Sequence, residues 1–424
     1  MIEPSHSSGA ASAERGGARP RGDPAAARAA DLSCLSGAEP PSSLYVHFPF
    51  CRHRCHYCDF SLIPSVDPPT GAWLAALRRD LRNWFALGRW TARPRLRTLF
   101  IGGGTPSLLG AEGLIGLRRT LEAYFDLGHE ALEWTVESNP NSVGVDMLSA
   151  WRECGVTRLS IGVQSFEDAA LAWLGRLHDA ATARRSVDMA HQAGFDSINV
   201  DMIFGLPEEI ERNWAAEVEA AIDLNVTHVS AYGLTAERRT PLGLRVERGK
   251  VVLPGGERYG REYLEATGHL VGAGYEHYEV SNFALAGNEC RHNWQYWNRS
   301  AYLGAGPSAH SYLPPHRIWN VYRWDAYRKA ILAGGSLRAG IERADGPSAL
   351  LEEIWLGLRT RAGWRPRRLA MDGDRRAGRT VDRFVEQGWL RRRGDALRAT
   401  PRGWLRLDAL ATELVAAVEA SRER

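Results

Sequence analysis

The chain has 424 residues, 44% of them hydrophobic, and a formal net charge of +3. That length fits a large core domain with a smaller second one, and the charge is too low for a protein devoted to nucleic-acid backbones. Six cysteines, three of them clustered, exclude a disulfide framework and fit a reducing, cytoplasmic compartment. Only Lys250 and Lys329 are lysine, so the positive charge is almost all arginine and arginine clusters carry little information. No run reaches the roughly 20 apolar residues of a membrane span, which leaves peripheral association as the membrane role still open.

Residues 1–40 are rich in Ala, Arg, Gly, Ser and Pro without apolar periodicity, and are expected to be a disordered tail. They lack the apolar stretch of a secretory signal, and Glu3, Glu14, Asp23 and Asp31 argue against a transit peptide. Next, an apolar strand, Leu44 to Phe48, runs into Cys51, Cys55 and Cys58. Three thiolates with no fourth nearby can hold a cubane of four irons and leave one iron without a protein ligand. The same stretch, with His53 or His56, also offers the four ligands of a Cys3His zinc site.

Short β-rich runs then alternate with helical patterns. The strands expected are Leu44–Phe48, Thr98–Ile101, Trp134–Val136, Leu159–Val163, Ile198–Ile203 and His228–Ala231. Between them, Ala72–Leu87, Leu114–Phe125 and Trp214–Leu224 carry apolar residues at helical spacing. Six such units imply an α/β fold with a parallel sheet, whose site lies at the carboxyl ends of the strands. Polar residues and glycines gather at those ends: Gly102-Gly103-Gly104-Thr105-Pro106-Ser107, Glu137-Ser138-Asn139-Pro140, Gly162-Val163-Gln164-Ser165, and Asp201 before Gly205-Leu206-Pro207. The glycines admit a ligand to the backbone without a Cβ in the way. Taken singly, Glu137, Gln164, Arg176 and Asp201 are equally well read as structural residues, since an acid or amide at a strand end often caps the next helix.

Further on, Glu289-Cys290-Arg291-His292-Asn293-Trp294-Gln295-Tyr296-Trp297 sets a histidine among aromatics. Residues 313–344 are expected to be a linker, following a body of residues 41–312. From 345 to 424 the pattern turns helical, with Leu350–Leu358 and Val381–Gln387, a hairpin around Gly394-Asp395 and a last helix from Trp404 to Ala420. Helices followed by a wing resemble a winged-helix module, expected here as a lid or docking domain.

In this order, the cysteine motif, GGGTPS, E-x-N-P, GVQSF and Asp201 to Pro207 resemble the radical S-adenosylmethionine (radical SAM) proteins related to oxygen-independent coproporphyrinogen III oxidase, over about residues 41–420. The resemblance implies a partial (β/α)6 barrel with a 4Fe-4S cluster on Cys51, Cys55 and Cys58. It places Tyr45, Gly103, Gly104, Thr105, Glu137, Gln164, Arg176 and Asp201 around SAM. The residue chemistry agrees: Glu137 suits an ammonium, Arg176 a carboxylate, and Tyr45 and Tyr57 a sulfonium or an adenine.

Two features separate branches of that family. The decarboxylating oxidases carry another cysteine two residues after the third ligand, and this chain has Phe60 there. The His292 to Trp297 element resembles the one linked to heme in the heme chaperone branch, the HemW-type proteins. The resemblance therefore implies a protein that binds heme and passes it to an acceptor of unknown identity, with oxidative decarboxylation of coproporphyrinogen as the alternative. His292 is the expected axial ligand, with His310 and Cys290 as competitors. The structural alternative is that the segment closes the barrel and His292 is a satisfied core histidine.

Overall fold

The computed structural model describes residues 32–345, 347–366 and 375–422. The first 31 residues of the expected tail lie outside that range. Its last residues already pack on the body: Leu35 is buried, and the Ala38 carbonyl accepts a bond from Trp90 Nε1 at 2.6 Å.

Six parallel strands form the centre: β1 (Ser43–Phe48), β2 (Thr98–Gly103), β3 (Glu133–Ser138), β4 (Arg158–Gln164), β5 (Ser197–Phe204) and β6 (His228–Gly233). They lie side by side in chain order. The edge beyond β6 is antiparallel, with β7 (Glu276–Glu279) paired outside β8 (Asn282–Ala284), while the edge beyond β1 is β9 (Leu303–Ala305), parallel to it. All six expected strands are present, each starting within one residue of its expected position. The two faces of the sheet differ in chemistry. Leu44, Val46, Phe48, Leu99, Ile101, Val136, Leu159 and Ile161 belong to one continuous apolar core. Residues between them, with the alternation a strand imposes, put Tyr45, His47, Glu137, Ser160 and Asp201 on the opposite face.

The helices that cover the apolar face are α1 (Thr70–Gly88), α2 (Gly110–Glu122), α3 (Val145–Glu153), α5 (Ala180–Gln192) and α6 (Trp214–Asp223), while α4 (Asp168–Leu174) packs apart, its Ala170 and Leu174 with Ile203 and Leu206. In α1, Trp73, Leu77, Leu81 and Trp84 recur at three- and four-residue spacing and are buried, the pattern of a helix with one apolar stripe. After β6 come α7 (Pro241–Glu247), α8 (Gly256–Gly272) and, between β8 and β9, α9 (Arg291–Trp297).

Residues 313–344 differ from the expected linker. They carry most of an antiparallel sheet of β10 (His310–Leu313), β11 (His316–Asn320) and β12 (Arg338–Arg343), with α10 (Trp324–Leu332) between the last two strands. What fastens this unit is charge. Asp80 of α1, fully buried, accepts from the Gly306 amide at 2.9 Å, Asn320 Nδ2 at 3.1 Å and Tyr327 Oη at 2.6 Å. It also pairs with Arg338 Nη2 at 2.6 Å.

The C-terminal part has the expected elements. α11 (Pro347–Leu358) and α12 (Arg375–Glu386) precede a hairpin of β13 (Leu390–Arg393) and β14 (Ala396–Ala399), and α13 (Leu407–Arg422) ends it. This part docks on β7, where Glu279 bridges to Thr360 and the ring of Trp404 meets His277 edge-on, centroids 4.2 Å apart. No helix among the described residues is long and apolar enough to cross a membrane.

Candidate functional site

The chain leaves β1 through Phe50-Cys51, which pairs with Ile63-Pro64, so the cysteine loop is pinned at both ends. Arg54 donates through Nη2 to the Leu62 carbonyl at 2.7 Å, and its charge favours the Cys58 thiolate. Two more side chains, one after a strand and one after a helix, reach the sulfurs. Thr105 Oγ1, after β2, donates to Cys51 Sγ at 3.0 Å, and Arg176, after α4, places Nη1 3.8 Å from Cys55 Sγ. Asn139, after β3, ties the two together: its Nδ2 donates to Thr105 Oγ1 at 2.9 Å and its Oδ1 accepts from Arg176 Nη2. Arg176 Nη2 also donates to the Gly162 carbonyl of β4 at 2.8 Å. Cys51, Cys55, Thr105, Asn139 and Arg176 line one depression.

Two of the three glycines have their own reasons. Gly103 has φ +114°, a region that residues with a Cβ avoid, and a Cβ there would meet His47 at 2.5 Å. A Cβ on Gly104 would lie 2.3 Å from the Phe50 carbonyl oxygen. The backbone that approaches Gly104 is thus the chain's own cysteine-bearing segment, a contact that the glycine run alone does not reveal.

A second group lies deeper, on the polar face. Glu137 Oε2 accepts from the Gly103 amide at 2.9 Å. Asp201 accepts from Ser160 Oγ at 3.2 Å and from Asn199 Nδ2 at 2.9 Å. Burial, reinforced by the Asp201 charge, lifts the Glu137 carboxyl to about 7. Burial also raises Asp201, against the bonds from Asn199, Ser230 and Ser160. Tyr45 is buried, its hydroxyl 3.0 Å from His47 Nδ1. Tyr57 is nearer the sulfurs, its hydroxyl pushed up by burial and by Cys55 and Cys58 while Arg176 opposes. Gln164 ends β4 at φ +70°, with its amide folded back over Gly162, beside Arg176.

His292 is not in this group. Its amide is held by Glu133 Oε1 at 2.8 Å and its Nδ1 lies 2.8 Å from Thr98 Oγ1, both at the beginnings of strands. Along β2 that is roughly 16 Å from Gly103. Its Nε2 meets the Tyr296 hydroxyl at 2.9 Å, and burial lowers the ring to about 3, so the imidazole is neutral with both nitrogens engaged. Axial ligation would require one of those bonds to open. A stack of rings, Tyr45 on Phe100 and Phe100 on His292, joins the two ends of the polar face. The competitor Cys290 is fully buried and its thiol is pushed up to about 12 by burial.

Among the described residues no three His, Cys, Asp or Glu side chains are grouped around one metal position, which favours neither a zinc ion nor a cluster as the group these thiols would hold. Burial raises the Cys58 thiol to about 11, so metal binding there releases a proton. The chemistry of three thiols on one pinned loop, with an arginine and a hydroxyl donating to them, suits an anionic cluster.

The sequence model of the Radical SAM superfamily matches residues 45–221. The solved structure of coproporphyrinogen III oxidase (HemN) from Escherichia coli, titled a radical SAM enzyme, superposes with TM-score 0.73. It covers 92% of this chain and 93% of that one at 21% identity, a likeness of fold alone. Fold and cysteine-bearing mouth together define a radical SAM protein. Heme chaperone HemW of Mycobacterium tuberculosis is 38% identical over 381 residues, 88% of this chain and 95% of that one. That of Bacillus subtilis is 35% identical over 340 residues, 80% and 88% of the two chains. This chain belongs to the HemW family.

The Glu137 environment gives a pH test. The family resemblance implies that Glu137 receives the ammonium of SAM; a cationic ammonium would bind the ionised carboxylate, and protonation of Glu137 below its value of about 7 would compete with the ligand. SAM affinity is expected to rise by up to about tenfold per pH unit from about pH 5.5 to neutrality, where the ligand's own amine stays protonated. Glu137→Gln should bind SAM weakly with a flat profile, and a flat profile in the unaltered protein would remove Glu137 from the site.

Proposed function

We propose that the chain binds heme and transfers it to an acceptor protein, with a 4Fe-4S cluster and SAM held at the strand-end mouth. The observation that carries the reading is the 38% identity that spans 95% of the Mycobacterium tuberculosis heme chaperone. Phe60 supports it: it stands where the decarboxylating oxidases carry a further cysteine, and its ring is 48% exposed. Cys51, Cys55 and Cys58 hold the cluster. Bound there, a cluster with one open iron supplies a coordination site and an electron.

The protein's own residues account for the rest of the mouth. Asn139 and the Gly162 carbonyl fix the Arg176 guanidinium through Nη2, which leaves the Nη1 hydrogens to meet a carboxylate. Glu137, anchored on the Gly103 amide, presents a charge to an ammonium. Thr105 holds Cys51 in place through Oγ1. His292 serves in this reading as a fixed point that joins α9 to the beginnings of β2 and β3, and the heme ligand is sought elsewhere.

The test is a hemin titration beside a coproporphyrinogen assay on one anaerobic preparation with SAM, a strong reductant and an electron acceptor. A stoichiometric Soret change with no protoporphyrinogen is expected. Protoporphyrinogen formed over many turnovers would replace the chaperone reading with the oxidase.

A further inference from the structure

What holds the strand ends in place lies behind the mouth. Arg212 Nε and Glu217 Oε1 form an ion pair at 2.6 Å, and each side chain is only 1% exposed. Both partners have further commitments. Glu217 Oε2 accepts from the Phe166 amide at 2.8 Å and from the Ser165 hydroxyl, the two residues that follow Gln164. Arg212 Nη1 donates to the Ile203 carbonyl at 2.9 Å, two residues beyond Asp201. Its guanidinium carbon lies 4.7 Å from the centroid of the Trp214 ring, which fixes it from the other side. One buried pair therefore spans the ends of β4 and β5.

Gln164 shows what the pair works against. Its φ of +70° is one that residues with a Cβ avoid, and such a conformation persists only where the surroundings over-determine it. The register between β4 and β5 also shifts between Ile161 and Gln164, so the sheet ladder alone does not set the position of Gln164. Its next fixed neighbours are Ser165 and Phe166, and those are held by Glu217. Stability does not explain the charges, because an apolar pair of similar volume often serves a core as well or better. A carboxylate that takes two donors from the end of β4 while its partner holds the end of β5 does explain them.

We propose that Arg212 and Glu217 are the positioning pair of the SAM site: they hold the Gln164 and Asp201 strand ends in the relative placement that the ligand requires, without touching it. The inference rests on the reading of those strand ends as SAM contacts.

The test uses the full chain, reconstituted anaerobically, titrated with SAM and observed by EPR of the reduced cluster. Arg212→Met/Glu217→Leu leaves the Ser165 hydroxyl, the Phe166 amide and the Ile203 carbonyl without these partners, so some loss of thermal stability is expected. Cluster content should stay at the parent level, while SAM affinity should fall about tenfold or more and the SAM-induced spectral change should be lost. Glu217→Gln keeps the volume and removes part of the acceptor set, so it should lose roughly tenfold in affinity, and it decides the matter where the double variant does not fold. Arg176→Ala is the control. Affinity lost in Arg176→Ala but kept in the pair variants overturns the inference and leaves the site standing. Affinity kept in all three overturns the site reading and the inference with it.

Discussion

Cys55→Ala, purified and reconstituted without oxygen, is expected to hold less than one iron per chain, against about four irons and four sulfides in the unaltered protein. In the proposed ligand set three thiolates are the protein's contribution, and the other contacts of Cys55 offer no substitute: the Gly175 carbonyl lies at 3.7 Å and Arg176 Nη1, a cation, at 3.8 Å. Removing one thiolate therefore leaves a second iron open and the cluster labile. Thr105→Ala is the matched comparison, because it removes a hydrogen bond to Cys51 without removing a ligand, and full cluster content is expected. Four irons in Cys55→Ala would take Cys55 out of the ligand set. Stoichiometric zinc without sulfide in the unaltered protein would sink the cluster altogether.

The largest effect on stability is expected at Asp80. Its carboxylate is buried and takes bonds from Gly306, Asn320 and Tyr327 besides Arg338. Arg338 is 4% exposed and stacks on Trp84, its guanidinium carbon 3.8 Å from the ring centroid. Asp80→Ala strands that cation and three donors, and removing one partner of a buried pair costs about 3–5 kcal/mol. Glu257→Ala, which breaks an exposed i,i+4 pair with Arg261, should cost no more than about 0.5 kcal/mol. Denaturant midpoints of the two variants measure the contrast, and equal midpoints would mean that the network is incidental.

The central strands and the mouth were legible because their signals are local. Leu44 to Phe48 and Ile198 to Ile203 are short apolar runs between turn residues, and a parallel sheet puts all its carboxyl ends on one side. Residues that act across long separations were not. His292 Nδ1 meets Thr98, 194 positions away, and no spacing rule reports that. Arg212 and Glu217 look like an ordinary helix entry until Ser165 and Ile203 are seen between them. Residues 313–344 passed for a linker because their strands are short and edged with arginine, and because the carboxylate that anchors them sits on α1. Asn139 stood in the E-x-N-P motif as a letter only. Its tie between Thr105 and Arg176 needed coordinates.

The pairing of β1 with β9 has a consequence for biosynthesis. Leu44 lies opposite Leu303, so the strand that leads into the cysteines gains its second neighbour only after some 260 further residues have been made. At typical elongation rates that interval is on the order of 10–50 s. Throughout it β1 has one open edge, and Asp80 still lacks Gly306, Asn320, Tyr327 and Arg338. A nascent chain in that state carries its cysteine loop on an unfinished scaffold, and that scaffold gains its last named anchor only when Arg338 has been made.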